Sequence, residues 1–540
     1  MCRAPGSHLR WLRVSGWNRR PRSQGNNDNQ MRTQISLREI LDGTSWRAYG
    51  GALDIPVADL QYDVRKVRQG SAFFAFASAA GDGHNNITTA LERGAVAIVY
   101  ERPMFRPARV VAVRVPDSRT AMARAAEVFY GHPEKQLTVI GVTGGEARSG
   151  AAFLVRRLLQ NAGIESGLVG SVVDEYGERA IPKFGVMPES VDAEKLMVGM
   201  VRSGCAACVL EVRPWNVVGQ NSVTARCDIA LFVHGMGQAN GCGTQRGGTS
   251  ESCVLGLAPK GNQKRFSAVV CDHDDAVASA CGRSARAGRM VTCGTSPAAD
   301  VHLQECWLHG DGARLRLKVP GGPVSVAVPI LHREDLRVLV GAVGVAVAFD
   351  VPICSLRDAL ENLTAVPGHL EAVDCGQPFR VFVDSARRKT GLSKALAVLR
   401  QTGRGRLLLV FGAGADHTHE ERVELGELAA RMVDYAIVTA DNPRCESPEE
   451  IASEVGSGMR RIKPHGFEIE CDRRAAIAKA MNMAKRGDTV LIAGKGHLTC
   501  QEVNHAIVPF DDRIYVRESL GVAESLERTR RCNELELINR

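Results

Sequence analysis

Residue types that do chemistry are most concentrated where a strand meets a glycine turn. Residues 137–142 form a largely β-branched run of the kind buried in a parallel sheet. Gly144-Gly145 follows, and residues 151–162 read as a helix closed by Gly163. Strand, glycine turn, helix is the layout that cradles phosphate, because the first N–H groups of a helix have no partner within it and can face an anion. Cys205 and Cys208 form a CxxC just before the apolar Val209-Leu210. No second pair completes a zinc site there, so these residues read as thiols rather than metal ligands.

The elements that must position this turn alternate along the chain. Residues 71–77 and 95–100 read as strands, and 87–93 and 120–130 as helices. Segments 208–212 and 229–233 look like further buried strands, and 235–248 is glycine-rich and reads as a loop. Residues 336–348 and 355–363 look helical. The last third repeats the alternation, with strands at 407–411, 435–438 and 490–492 and helices at 424–432 and 474–486. That pattern predicts an α/β protein whose C-terminal part is an open, doubly wound sheet.

A chain of 540 residues is long enough for three or four domains at roughly 150 residues each. Its 44% hydrophobic and 24% charged content is that of a globular protein and excludes a wholly disordered chain, a collagen-like chain or a coiled coil. The net charge of +8 is gathered largely at the N-terminus, where Arg3, Arg10, Arg13, Arg19, Arg20 and Arg22 face Asp28 alone. The body therefore has no electrostatic footprint for nucleic acid. Residues 1–30 read as a disordered basic extension, with a targeting segment or an upstream start as alternatives before Met31. No stretch reaches the ~18–20 apolar residues of a membrane span. The 16 scattered cysteines fit a reducing cytoplasm.

Several short motifs appear in a consistent order: Asp63-Val64-Arg65, Asp82-Gly83-His84, the 141–149 turn, residues 366–371 (Val-Pro-Gly-His-Leu-Glu), Asp441-Asn442-Pro443-Arg444, Gly494-Lys495-Gly496-His497 and Asp511-Asp512. By these residues the chain resembles the Mur ligases, and among them the branch that adds the third peptide residue, meso-diaminopimelate, in peptidoglycan synthesis. The resemblance runs from about residue 57 to 518 and implies three parts after the extension. Residues 31–136 would hold the UDP-substrate, through Asp63 and Arg65. Residues 137–364 would form a central P-loop-like ATPase domain, and 365–540 a Rossmann-like amino-acid-binding domain. The implied chemistry is ATP-dependent: the carboxylate of a UDP-N-acetylmuramoyl-dipeptide-like acceptor is phosphorylated, then attacked by the amine of a diaminopimelate-like amino acid. ATP and Mg2+ are the implied cofactors.

The same resemblance assigns roles residue by residue. Gly144, Ser149 and Asp384 would contact nucleotide, with Ser149 and Glu211 as magnesium ligands. Arg148, Glu211 and Lys260 would be the catalytic set, Lys260 standing where the family carries a carbamylated lysine. Asp441, Asn442, Arg444, Gly494 and His497 would bind the amino acid, Arg444 as a fork for a carboxylate.

Many positions depart from the family. Its Gly-Thr-Asn-Gly-Lys-Thr turn reads Gly144-Gly145-Glu146-Ala147-Arg148-Ser149 here. Ala147 adds a Cβ at a glycine position, and Arg148 replaces a point charge by a planar fork. Val186-Met187, Arg213-Pro214-Trp215, 234–238, Val338, Arg387 and Leu498 stand where the family has substrate-contacting residues. Structural alternatives remain: Glu211 as a solvated strand end, 441–444 as a plain turn, His497 as a cap, Lys260 as a solvated loop lysine. Two functions are therefore expected as alternatives: a catalytically impaired homologue, for which a partner ligase is a candidate associate, or an active, diverged acid–amino-acid ligase.

Overall fold

A computed structural model describes residues 35–78, 81–103, 110–145, 147–183, 188–212, 227–233, 266–271, 287–503 and 506–521. The basic extension, Glu146, Val186-Met187, Arg213–Trp215, the 235–248 loop and Lys260 lie outside them.

The first part is a five-stranded sheet. Strands β1 (Arg47–Tyr49), β2 (Asp59–Gln61), β3 (Ser71–Ala75), β4 (Ala97–Tyr100) and β5 (Val111–Arg114) lie in the order β1-β5-β4-β3-β2. All pairings are parallel except β1 with β5. Its two faces bury separate clusters. Helix α1 (Ile87–Glu92) packs through Ile87 and Ala90 on one. Helix α2 (Ser118–Phe129) packs through Ala121, Met122, Ala125 and Ala126 on the other.

The central part carries an 11-stranded sheet. Its elements are β6 (Thr138–Thr143), α3 (Arg148–Asn161), β7 (Ser166–Val169), β8 (Val173–Tyr176), β9 (Arg179–Pro182), α4 (Ser190–Arg202), β10 (Ala207–Val212), β11 (Ile229–Phe232), β12 (Phe266–Cys271) and β13 (Ala287–Gly294). β14 (Val301–His309), β15 (Gly312–Val319), β16 (Gly322–Val328), α5 (Arg333–Ala348) and α6 (Ile353–Glu361) complete it. The order is β9-β8-β7-β10-β6-β11-β12-β13-β14-β15-β16, parallel from β7 to β14 and antiparallel at both ends. β10 (Ala-Cys-Val-Leu-Glu-Val) is buried at every residue, as expected of a strand covered on both faces. α3, α5 and α6 cover one face and α4 the other. α5 is apolar nearly all round and is buried from Leu336 to Ala348 except at Arg337.

The last part is β17 (Arg380–Asp384), α7 (Lys389–Thr402), β18 (Leu407–Phe411), α8 (His419–Met432), β19 (Tyr435–Val438), α9 (Pro448–Ile462), β20 (Phe467–Ile469), α10 (Arg473–Met483) and β21 (Thr489–Ala493). A hairpin, β22 (Cys500–Val503) and β23 (Ala506–Pro509), and α11 (Asp512–Ser519) end it. The parallel order is β17-β21-β18-β19-β20, with a two-residue antiparallel strand, Glu371–Ala372, beyond β17. α7, α8 and α9 cover one face and α10 and α11 the other, which is the doubly wound arrangement the sequence predicts. α8 and α9 touch backbone to backbone: a Cβ on Gly426 would meet the Val455 carbonyl, and one on Gly458 the Val423 carbonyl.

The expected helix at 151–162 begins three residues earlier, so Arg148 and Ser149 belong to its first turn. The helices α4, α7 and α9, the β14–β16 meander and the β22–β23 hairpin lie beyond the elements the sequence predicts.

Candidate active site

β6 ends at Thr143 and the chain turns at Gly144, whose φ is 140°. A Cβ there would lie 2.5 Å from the Val233 carbonyl oxygen, so only glycine fits. α3 starts without a side-chain cap from Ala147. Its first N–H groups therefore have no capping side chain, as an anion-facing helix start requires. Ala147 itself has φ −72° and ψ 0°, an ordinary right-handed conformation. The conformational penalty expected for losing a glycine there does not arise.

Arg148 does not reach out from this turn. Its Nε lies 3.4 Å from Glu211 Oε2 and its Nη1 donates to the Gly144 carbonyl at 3.3 Å. Glu211, near the end of β10, is 2% exposed and is not the solvated carboxylate considered above. Its Oε2 also accepts from Ser149 Oγ at 3.0 Å and Ser171 Oγ at 2.9 Å, and Oε1 accepts from the Ser171 N–H at 3.0 Å. Nucleotide phosphates suit the helix start and the glycine turn. Magnesium, placed by the resemblance on Ser149 and Glu211, does not fit these residues as arranged: both carboxylate oxygens and the serine hydroxyl are engaged, and the neighbouring cation is Arg148. Among the described residues no cluster of three or more His, Cys, Asp or Glu side chains could hold a metal.

The residues that the resemblance assigns to the amino acid gather beyond the carboxyl ends of the last sheet, where open α/β sheets bind ligands. β19 leads into Asp441-Asn442-Pro443-Arg444 and β21 into Gly494-Lys495-Gly496-His497. Asp441 is fully buried, with Oδ2 lacking a hydrogen-bond partner among the described residues. Lys495 is buried too; burial lowers its ammonium pKa to about 8 despite the favourable charge of Asp441. Its Nζ lies 3.5 Å from Asn442 Oδ1. The β22–β23 hairpin clamps this turn. Gln501 Nε2 donates to the Asp441 carbonyl at 2.6 Å, the Glu502 N–H to Asn442 Oδ1 at 3.0 Å, and the Arg444 N–H to the Glu502 carbonyl at 3.1 Å. Arg444, with φ 52°, sets its Nε 3.3 Å from Glu502 Oε2. Glu502 thus puts a carboxylate beside the pocket where Leu498 had removed one. It has no local sequence signal, since only the hairpin brings it there.

His497 is no cap. Burial, with the positive His369, Arg513 and Arg387 around it, lowers its pKa to about 4. His369 goes the other way: burial opposes its charge, but Asp335, 3.0 Å from Nδ1 through either oxygen, raises it to about 9. That pair joins α5 to the start of the last part.

One cleft of about 1080 Å³ unites the three parts. Tyr62 and Lys66 line it from the first; Asp174, Lys183, Asp192 and Lys195 from the second; Arg387, Asn442, Arg444, Gly494, Lys495, His497 and Glu502 from the third. Asp174 pairs with Lys183 at 3.0 Å, and the Tyr62 hydroxyl donates to Asp192. Lys183, Lys195, Asp192 and Glu502 were not singled out by sequence. Asp63 and Arg65 bind one another at 2.8 Å and do not line the cleft, although their neighbours Tyr62 and Lys66 do. Asp384 is buried, and its oxygens accept the Leu370 and Ala386 N–H groups at 2.7 and 2.8 Å. Val338 lies in the central core.

Comparison with known proteins gives this geometry relatives. Residues 369–496 match the family described as Mur ligase, glutamate ligase domain. A protein from Geobacillus thermodenitrificans (strain NG80-2), UDP-N-acetylmuramoyl-L-alanyl-D-glutamate--2,6-diaminopimelate ligase, is 33% identical over 479 residues, covering 88% of this chain and 96% of its own. A solved ligase structure of the same description superposes with a TM-score of 0.63 at 23% identity, over 90% of this chain and 99% of its own. MurF ligase from Thermotoga maritima, solved in complex with ADP, gives a TM-score of 0.53 at 20% identity, over 81% of this chain and 93% of its own. One third identity held across nearly the full length of both chains is more than a shared architecture, and it follows that this chain belongs to the Mur ligase family.

Proposed function

We propose that this chain is a Mur-type ligase homologue of cell-wall precursor synthesis that keeps the amino-acid side of the site and is impaired in the ATP-driven step. The observation that carries the reading is the Arg148 side chain, turned onto Glu211 and the Gly144 carbonyl rather than toward a phosphate. An acyl phosphate forms fast only if developing charge on the transferred group meets a positioned cation. Bound ATP would supply the phosphoryl group; Gly144 and the α3 start would hold its phosphates, and the side chain best placed to neutralise them is already paired.

The amino-acid side supports retained binding. Arg444 presents a guanidinium beside Glu502, a pairing suited to a diaminopimelate-like end that carries both carboxylate and ammonium. The lysines of the cleft suit an acidic, UDP-N-acetylmuramoyl-dipeptide-like acceptor. The setting would be the cytoplasm, where a partner ligase could share substrates; no helix among the described residues is long and apolar enough to cross a membrane. A second reading, an active diverged ligase, is favoured by Ser149 and Glu211 remaining 3.0 Å apart at the turn.

Phosphate release by the purified chain with magnesium-ATP, UDP-N-acetylmuramoyl-dipeptide and diaminopimelate, each omitted in turn, separates the two. The impaired reading expects no release above the omission controls. Release that needs all three establishes the active ligase instead.

A further inference from the structure

The arrangement around Glu211 does more than withdraw one arginine. A magnesium ion needs near-octahedral oxygen ligands at about 2.0–2.1 Å and sheds its water reluctantly. Here Oε2 of Glu211 already receives Ser149, Ser171 and Arg148, and Oε1 receives the Ser171 N–H. Gly170 backs the carboxylate closely, since a Cβ built on it would lie 2.9 Å from Oε1. Ser149 Oγ, the other expected ligand, lies 3.1 Å from Ser171 Oγ as well. The carboxylate is 2% exposed, so its charge must be balanced locally, and the guanidinium does so. A guanidinium stays protonated at any working pH, so it cannot make way by losing its proton.

We infer that Arg148 is a built-in replacement for the divalent cation: Glu211 is neutralised from within the chain, and a nucleoside phosphate is met at this turn without metal. A lysine at this position would place a single charge at the end of a flexible stem, whereas Arg148 sets its Nε beside Glu211 while Nη1 holds the Gly144 carbonyl. The inference rests on the ligase-homologue reading of the turn, but the two fail separately. Ligation in the assay above, without metal dependence of nucleotide binding, would remove the impairment and leave the replacement standing. Metal-dependent binding without ligation would do the reverse.

The test is calorimetric titration of ADP into the full-length protein in magnesium and, separately, in EDTA. It is run for the wild type, Arg148→Lys and Arg148→Lys/Glu211→Gln, each checked by circular dichroism. Wild-type affinity is expected to be the same in both buffers within about twofold, while Arg148→Lys gains about tenfold in magnesium and loses that gain with Glu211→Gln. Should Arg148→Lys fail to fold, Arg148→Gln, which also frees the carboxylate, takes its place. Three results overturn the inference: wild-type affinity rising about tenfold with magnesium, no gain in the position-148 variant, or no ADP binding by the wild type in either buffer.

Discussion

Arg444 sits in a left-handed backbone conformation, φ 52°, that costs a residue with a Cβ on the order of 1 kcal/mol. What over-determines it is the hairpin, through the Glu502 carbonyl and the Asn442 side chain. Strain held at such a point marks a residue kept for its side chain. Arg444→Gly relieves the strain while enlarging the unfolded ensemble, so urea melts should show stability unchanged within about 1 kcal/mol. Diaminopimelate binding, followed by calorimetry, should weaken about tenfold or more as a charge-assisted contact is lost. That Asp441, Asn442, Arg444, Gly494 and His497 come together is legible in sequence, because their types and spacing are local to two turns. Glu502 and Lys195 are not, because folding alone brings them to those turns. Asp63, Arg65 and Asp384 show the converse, motif residues occupied with one another or with the backbone.

Elements were legible where hydrophobic runs are long and uninterrupted. The strands at 407–411 and 435–438 coincide with β18 and β19. α9 carries Gly456, Ser457 and Gly458 in its interior, residue types that weaken a helical pattern in sequence. In the fold two of those residues are buried, and Gly458 is a packing device that lets α9 lie against the α8 backbone. Gly458→Ala should therefore destabilise despite alanine's better helix propensity, by about 1–3 kcal/mol from overpacking. A lowered Tm checks this. An unchanged or raised Tm would mean that the helices separate without cost. The β14–β16 meander alternates buried and exposed residues along β15 and β16, a period-two signal carried by their sequences.

At the scale of the whole molecule, the His369–Asp335 pair fastens the central part to the last one. Its folded pKa of about 9 exceeds the value of about 6.5 for an unfolded histidine. The stability it contributes is thus complete below pH about 6.5 and is lost as pH rises through about 9. His497, depressed to about 4, contributes in the opposite sense and loses its share as pH falls from about 6.5 through 4. Urea melts between pH 6.5 and 7.5, below the range in which Lys495 (folded pKa about 8) adds an opposite slope, should show stability declining in the wild type and a flatter profile in His369→Gln. Equal slopes in the two would assign the decline to other groups.

The cleft has no owner among the three sheets. Tyr62, Asp192 and Arg444 are far apart in the chain yet border one volume. A molecule filling that volume would touch all three, and the effects of substitutions there on its binding would then form one interacting set and not simply add. A variant near Tyr62 combined with one near Arg444 is therefore the pair in which one sheet can be made to report on another.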